Sequence, residues 1–340
     1  MLFVNKTDKS LLIKRFLCLL CLSALIFSLT GCFGDSKQAG RGDGQPIYIK
    51  VEPGMTGESI CNLLIQKGVI SSPTKFKIYA KLKGAASKFQ TGTYECYPNM
   101  DMGKVLDILT SGKTTTVHFT IPEGYTVNEI AERLDKMGII KADKLKQEAK
   151  NFAPYGYITD IPQAKYRVEG FLFPDTYEAS PDASAKDILQ IMADNFNSRL
   201  TPEMRAKAAA KGMSIHELVT LASLVEKEAG TDEERPIIAQ IFLKRLEIFQ
   251  PLESCASIQY LLDAPKEDLL IADTKIDSPY NTYQNYGLPP GPVANPGLKS
   301  LQAVLEPANT DYLYFVADHQ GHNHFSATYA EHLTEVDKYR

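Results

Sequence analysis

The feature that most constrains this chain is a segment that occurs twice. Residues 51-VEPGMTGESICNLLIQKGVI-70 and 121-IPEGYTVNEIAERLDKMGII-140 superpose Gly54 on Gly124, Thr56 on Thr126, Ile60 on Ile130, Leu64 on Leu134, Gly68 on Gly138 and Ile70 on Ile140. A chain that repeats such a pattern has to build the same small unit twice. In each copy a β-rich piece ends at a Gly turn and a Thr then caps a helix, with Glu129 completing a capping box in the second copy. Ile and Leu recur four residues apart along that helix, and Gly68 or Gly138 falls where a residue just past a helix end needs φ > 0. Between the copies, 92-GTYECYPNMDMGKVLDILTSGK-113 has a similar layout: a strand-like piece, a Pro-Asn turn and an apolar helix ending at Gly112.

From about residue 151 the pattern changes to helices. Segments 184-SAKDILQIMADNFNSRL-200 and 202-PEMRAKAAAKG-212 read as helices, and Ser214 with Glu217 makes a capping box for the next. Another helix begins between Thr231 and Pro236 and runs through 237-IIAQIFLKRLEIF-249. Loop-rich 279-PYNTYQNYGLPPGPVANPG-297, a short helix, the apolar strand 312-YLYFVA-317 and a His-rich turn complete the chain. The expected fold class is α+β, with βα modules over 47–150 and a mainly helical half over 151–340. Composition allows this, since 340 residues at 44% hydrophobic and 23% charged can fill two ordinary cores. A formal net charge of −4 provides no basic field, which argues against nucleic acid as a partner.

The first 32 residues differ in kind. Lys6, Lys9, Lys14 and Arg15 precede the apolar run 16-FLCLLCLSALIFSLTGC-32, which closes in Leu29-Thr30-Gly31-Cys32. That ending resembles the lipobox of bacterial lipoproteins, in which cleavage before the cysteine leaves a lipidated Cys32 as the anchor. The alternative is an uncleaved signal anchor, because the 16 apolar residues from Phe16 to Gly31 are just short of the ~17–25 residues of a comfortable span. Both readings anchor the N-terminus at the cytoplasmic membrane with the body outside, and residues 33–46 then serve as a flexible tether. Cys61, Cys96 and Cys255 remain in the body, an odd set without clustered spacing, and read as packing residues. His319, His322 and His324 form an H-x-x-H-x-H run, but the sequence fixes no acidic or cysteine ligand beside them, so no metal is assigned.

The stretch 221-LASLVEKEAG-230 places two glutamates at the end of an apolar helix. At 100° per residue from Leu218, Leu221, Val225 and Ala222 fall at about 300°, 340° and 40°. Glu228, at about 280°, lies inside the edge of that apolar face; Glu226, at about 80°, is on the opposite flank, and Lys227, at about 180°, points to solvent. An apolar wall raises a carboxyl pKa towards the range where the group can donate a proton near neutral pH. Geometry therefore nominates Glu228, against the plain alternative of an exposed residue in a last helical turn. Asn281, Thr282 and Tyr283 lie in a Pro/Gly-rich loop; Asn281 and Tyr283 are candidate substrate contacts, or the loop is simply a shaped surface turn.

Taken together, LASLVEKEAG, 169-EGFLFPDTYE-178, 278-SPYNTYQNYGLPPGPVANPG-297 and 307-PANTDYLYFVADHQGHNHF-325 resemble the MltG (YceG-like) family of endolytic murein transglycosylases, over roughly residues 47 to 340. The repeats are similar to LysM-like units, which in that family bind glycan strands; a spacer without ligand is the other reading. The resemblance implies a peptidoglycan lytic transglycosylase that cuts the MurNAc-β-1,4-GlcNAc bond without water, leaving a 1,6-anhydro end, with no cofactor or metal. It implies Glu228 as the catalytic acid, peptidoglycan strands as substrate and the penicillin-binding synthesis machinery as partners. Many relatives carry Asp at the position of Cys255, so the resemblance assigns that position no role. A catalytically silent glycan-binding scaffold is the rival function.

Overall fold

The computed structural model describes residues 44–339 apart from positions 86, 263, 265, 267 and 268. The apolar run, Cys32 and most of the expected tether lie outside the described residues. Among the described residues no helix is long and apolar enough to cross a membrane. The chain divides into two compact units between Thr115 and Thr116.

In the first unit, β1 (Ile47–Val51) is followed by α1 (Gly57–Gln66) and α2 (Pro73–Leu82), then β2 (Gly92–Cys96) and α3 (Met102–Ser111). β1 and β2 pair antiparallel, from Ile47 opposite Cys96 to Val51 opposite Gly92. The expected local signals are present: the Thr56 side chain accepts from Ser59 N, and Gly54, Gly68 and Gly112 have φ of 85°, 75° and 68°. Ile49, Ile60, Leu64, Phe76, Tyr94 and Leu109 fill the core. Cys61 and Cys96 are part of it, and burial pushes the Cys96 thiol up to about 11.

The second unit opens by repeating this arrangement. β3 (Val117–Thr120), α4 (Val127–Lys136) and α5 (Ala142–Ala149) precede β4 (Thr176–Ala179), and β3 pairs antiparallel with β4. Thr126 and Glu129 form the expected capping box, and Gly124 and Gly138 have φ of 73° and 72°. Both copies are therefore β-α-α-β, with the first closed by the strand of the 92–113 segment. The expected boundary at 150 is corrected by this pairing. The second copy takes its closing strand from beyond 150, and Phe119, Ile130, Leu134 and Leu145 share one core with Phe171, Phe196 and Leu221.

The remainder is helical: α6 (Ala185–Arg199), α7 (Pro202–Ala210), α8 (Ile215–Glu228), α9 (Arg235–Glu247), α10 (Cys255–Leu261) and α11 (Leu298–Leu305). The hairpin β5 (Tyr314–Ala317) and β6 (Asn323–Ser326) and the terminal α12 (Tyr329–Tyr339) follow. α8 is the axis of this unit and packs against α7, α9, α10 and α11. Every residue from Leu218 to Val225 is buried. The sequence reading gave α8 one apolar face; instead it is covered all round, as a central helix is. Its two polar residues in that stretch are satisfied locally, Thr220 Oγ1 donating to His216 O and Ser223 Oγ to Thr220 O. Truncating a fully buried residue here, Leu221 for example, costs about 2–5 kcal/mol.

Candidate active site around Glu228

The Ser214–Glu217 capping box starts α8, and the helix ends at Glu228, with the Ala229 N–H still bonded to Val225 O. Beyond it the chain passes against the β5–β6 turn: a Cβ on Gly230 would lie 2.1 Å from the backbone O of Gly321, so only glycine fits. Glu234 then ties the two segments together. It accepts from Gly230 N, Asn323 N and Asn323 Nδ2 at 2.9, 3.1 and 2.8 Å. Burial opposes ionisation of Glu234, but the bonds from Asn323, Gly230 and Thr231 prevail and hold its pKa below the usual value. The same Asn323 amide donates to Glu228 O at 2.9 Å, fixing the end of α8.

The Glu228 carboxyl faces the start of α10. Its Oε1 accepts from Ser254 Oγ at 2.5 Å and from Ala256 N at 3.1 Å, and the Cys255 N–H also faces the carboxyl. Burial raises the Glu228 pKa, opposed by the Ser254 hydroxyl, the two backbone N–H groups and the charge of Lys227, and burial wins. Its pKa is thus raised, yet the carboxyl has donors ready for its ionised form.

Glu226, two residues earlier, is placed quite differently. Its Oε2 accepts from Ser300 Oγ at 2.7 Å and Gly297 N at 3.0 Å and lies 3.1 Å from Arg235 Nη1, with side-chain exposures of 5% and 11% for the ion pair. It is on another flank from Glu228, as expected, and its carboxyl is held there in an ion pair.

The loop residues separate. Asn281 is fully buried; its Nδ2 donates to Thr274 O and Ile276 O, and its Oδ1 accepts from Tyr283 N. This corrects the expectation that it contacts substrate: every polar atom of its side chain is spent on shaping the loop. Tyr283 stays partly exposed, its OH 3.1 Å from Cys255 Sγ, and burial followed by the nearby Cys255 and Glu228 raises its pKa. Cys255 is accordingly not a core residue but lines the surroundings of Glu228. No disulfide joins the described cysteines.

Sequence reasoning missed Ser254 and Asn323, and named Thr282 in its loop without giving it a role. Thr282, 1% exposed, stands between the two nominated loop residues and accepts from Ser254 N at 3.0 Å. Asn323 sits inside the His-rich run, whose histidines drew attention instead. An acidic partner is in fact fixed there: Asp318 Oδ2 lies 3.0 Å from His324 Nε2 and 3.8 Å from His322 Nδ1. The bond from His324, ahead of the opposing desolvation, holds Asp318 at about 2. Among the described residues no three His, Cys, Asp or Glu side chains converge as a metal site.

The remaining sequence motifs meet at Glu169 and Asn295. Asn295 Oδ1 accepts from Leu172 N, and its Nδ2 donates to Tyr125 O and Glu169 Oε1. Glu169, 2% exposed, also accepts from Val127 N and Tyr260 OH, and burial pushes its pKa up to about 8.

An α+β protein whose helical unit presents a donor-bound carboxyl of raised pKa at the end of a central helix is the class that this fold and site define. The YceG-like family model matches residues 49–338, and the chain belongs to that family. It is 36% identical to an endolytic murein transglycosylase of Bacillus subtilis, over 86% of this chain and 84% of that protein. It is 31% identical to an endolytic murein transglycosylase of Streptococcus pneumoniae, over 80% of this chain but only 54% of that longer protein. A crystal structure of a YceG-like protein from Listeria monocytogenes aligns with a TM-score of 0.60 at 30% identity, covering 85% of this chain and 98% of that one.

Proposed function

We propose that this chain is a peptidoglycan lytic transglycosylase in which Glu228 is both acid and base. The observation that carries the reading is the Glu228 carboxyl itself, raised in pKa by burial yet supplied with donors for its ionised state. Protonated Glu228 gives its proton to the glycosidic oxygen between MurNAc and GlcNAc as the C1–O bond breaks. The C6 hydroxyl of the same MurNAc then attacks C1, and its proton returns to the Glu228 carboxylate. The product is a 1,6-anhydro end, no water is consumed, and the enzyme is restored. One carboxyl is enough, unlike the paired carboxylates of hydrolytic glycosidases. In this reading the partly exposed Tyr283, beside Cys255, stacks on a sugar face.

The substrate is the nascent glycan strand, cut internally to limit its length next to the penicillin-binding synthesis machinery. The β-α-α-β copies act as LysM-like glycan holders. The N-terminus anchors the protein to the outer side of the cytoplasmic membrane, through lipidated Cys32 or an uncleaved signal anchor; the mass of the mature N-terminus distinguishes the two. Digestion of purified peptidoglycan tests the activity. Muropeptides lighter by one water than the hydrolytic product are expected. Binding without such ends would leave a glycan-binding scaffold.

A further inference from the structure

Ser254 occupies the N-cap position of α10, yet its side chain makes no capping bond to that helix. An N-cap serine ordinarily accepts from the N–H two or three residues on. Here the Ser254 hydroxyl instead donates to Glu228 Oε1 at 2.5 Å, and Glu228 takes over the Ala256 N–H of the first turn at 3.1 Å. The helix has given up its own cap to hold the acid.

Ser254 is itself held in place. Its N–H donates to Thr282 Oγ1 at 3.0 Å, its carbonyl accepts from Ser257 Oγ at 2.8 Å, and Ser257 and Thr282 hydroxyls lie 2.8 Å apart. Ser254, Ser257 and Thr282 are each no more than 1% exposed. The preceding residue, Glu253, has φ of 48°, a left-handed conformation that a non-glycine residue adopts at a cost. It is kept there by its own N–H bonded to Thr282 O and by Arg245 Nη1 at 3.1 Å. A strained residue and a buried hydroxyl cluster thus aim one side chain at Glu228.

We infer that Ser254 is a positioning residue that fixes which oxygen of Glu228 carries the transferable proton. Each carboxyl oxygen has about two acceptor sites. On Oε1 both are filled by Ser254 and Ala256, so the proton of the neutral acid resides on Oε2. Donation and return of the proton then use that one oxygen, without a flip of the carboxyl between the two half-reactions. This rests on the reading of Glu228 as acid and base. The other groups facing the carboxyl are Lys227, Cys255 and Tyr283, and none of them is altered in the test.

The test is the pH–rate profile of anhydro-end release from purified glycan strands by the full chain and by Ser254→Ala and Ser254→Thr, with Glu228→Gln as control. Losing a hydrogen bond to a group that becomes charged should lower kcat by about tenfold with KM little changed. Because the Ser254 bond opposes the rise in the Glu228 pKa, its loss should also move the alkaline limb to higher pH. Ser254→Thr keeps the hydroxyl and should restore both kcat and the limb. If the alanine variant does not fold, Ser254→Cys, close in shape but a weak donor, gives the same reading. A limb that stays in place while kcat falls, or no change in either, overturns the inference while an inactive Glu228→Gln leaves the proposed function standing. An active Glu228→Gln overturns both.

Discussion

The two glutamates at the end of α8 are two residues apart, both are partly exposed, and their carboxyls are satisfied in different ways. Glu226 is neutralised by a cation: Arg235 pairs with it, and Ser300 and Gly297 supply further donors. Glu228 faces hydroxyl and backbone donors and no ion-pair partner is seen for it among the described residues, so burial raises its pKa. A buried carboxylate paired with arginine cannot be removed without stranding a buried charge, and so serves the fold. One matched only to neutral donors can exist in either state, which acid–base work requires. Burial does not separate Glu226 from Glu228; the charge of the partner does.

The stability side of this contrast gives the largest effect. Glu226→Ala leaves Arg235, only 11% exposed, without its buried partner and should cost about 3–5 kcal/mol in denaturant unfolding. A loss below about 1 kcal/mol would mean that the pair is no stronger than a surface one.

Glu169 extends the comparison to a carboxyl with neutral donors but no proposed role in chemistry. Its folded pKa of about 8 stands above its unfolded value of 4.5, so between those pH values the native state holds a proton that the unfolded chain has released. Its contribution to stability is therefore complete below about 4.5 and is lost as pH rises towards about 8, by up to ~1.4 kcal/mol per pH unit. Glu169→Gln, neutral at every pH, should flatten that slope in unfolding measurements across the window. An unchanged slope would show that Glu169 is already ionised at neutral pH.

A smaller effect is expected at Asn323, whose amide joins Glu228 O to Glu234 Oε2. Asn323→Ala should cost about 1–3 kcal/mol by stranding buried acceptors, seen as a lowered melting temperature. It should also cost the most at neutral pH, because Glu234 is ionised there and needs its donors.

The parts legible in the sequence are those set by neighbours a few residues apart. The Thr126–Glu129 and Ser214–Glu217 capping boxes, the left-handed Gly68 and Gly138, and the helix ending at Glu228 all depend on spacings of this kind. The site's supporting residues do not. Ser254 reaches Glu228 across 26 positions and Asn323 reaches it across 95, and neither spacing leaves a local periodic signal. The same holds for the boundary at Thr115, which follows from β3 choosing a strand some 56 positions away. The burial of every residue from Leu218 to Val225 is no local signal either, since Thr220 and Ser223 are polar and are satisfied there by bonds within their own helix.

The central claim is that Glu228, and not Glu226, transfers the proton, and the direct measurement is anhydro-end release by Glu228→Gln and Glu226→Gln per folded molecule, across pH. Glu228→Gln keeps the size and hydrogen bonding of the side chain but loses the proton, so turnover should fall by about 10²–10⁴-fold with glycan binding retained. Glu226→Gln should be less stable yet turn over at close to the parent rate once corrected for folded fraction. The parent's activity should persist above the pH at which an ordinary Glu, near ~4.3, has ionised, and then fall on the alkaline side. Full turnover by Glu228→Gln, or a folded but inactive Glu226→Gln, would contradict the account.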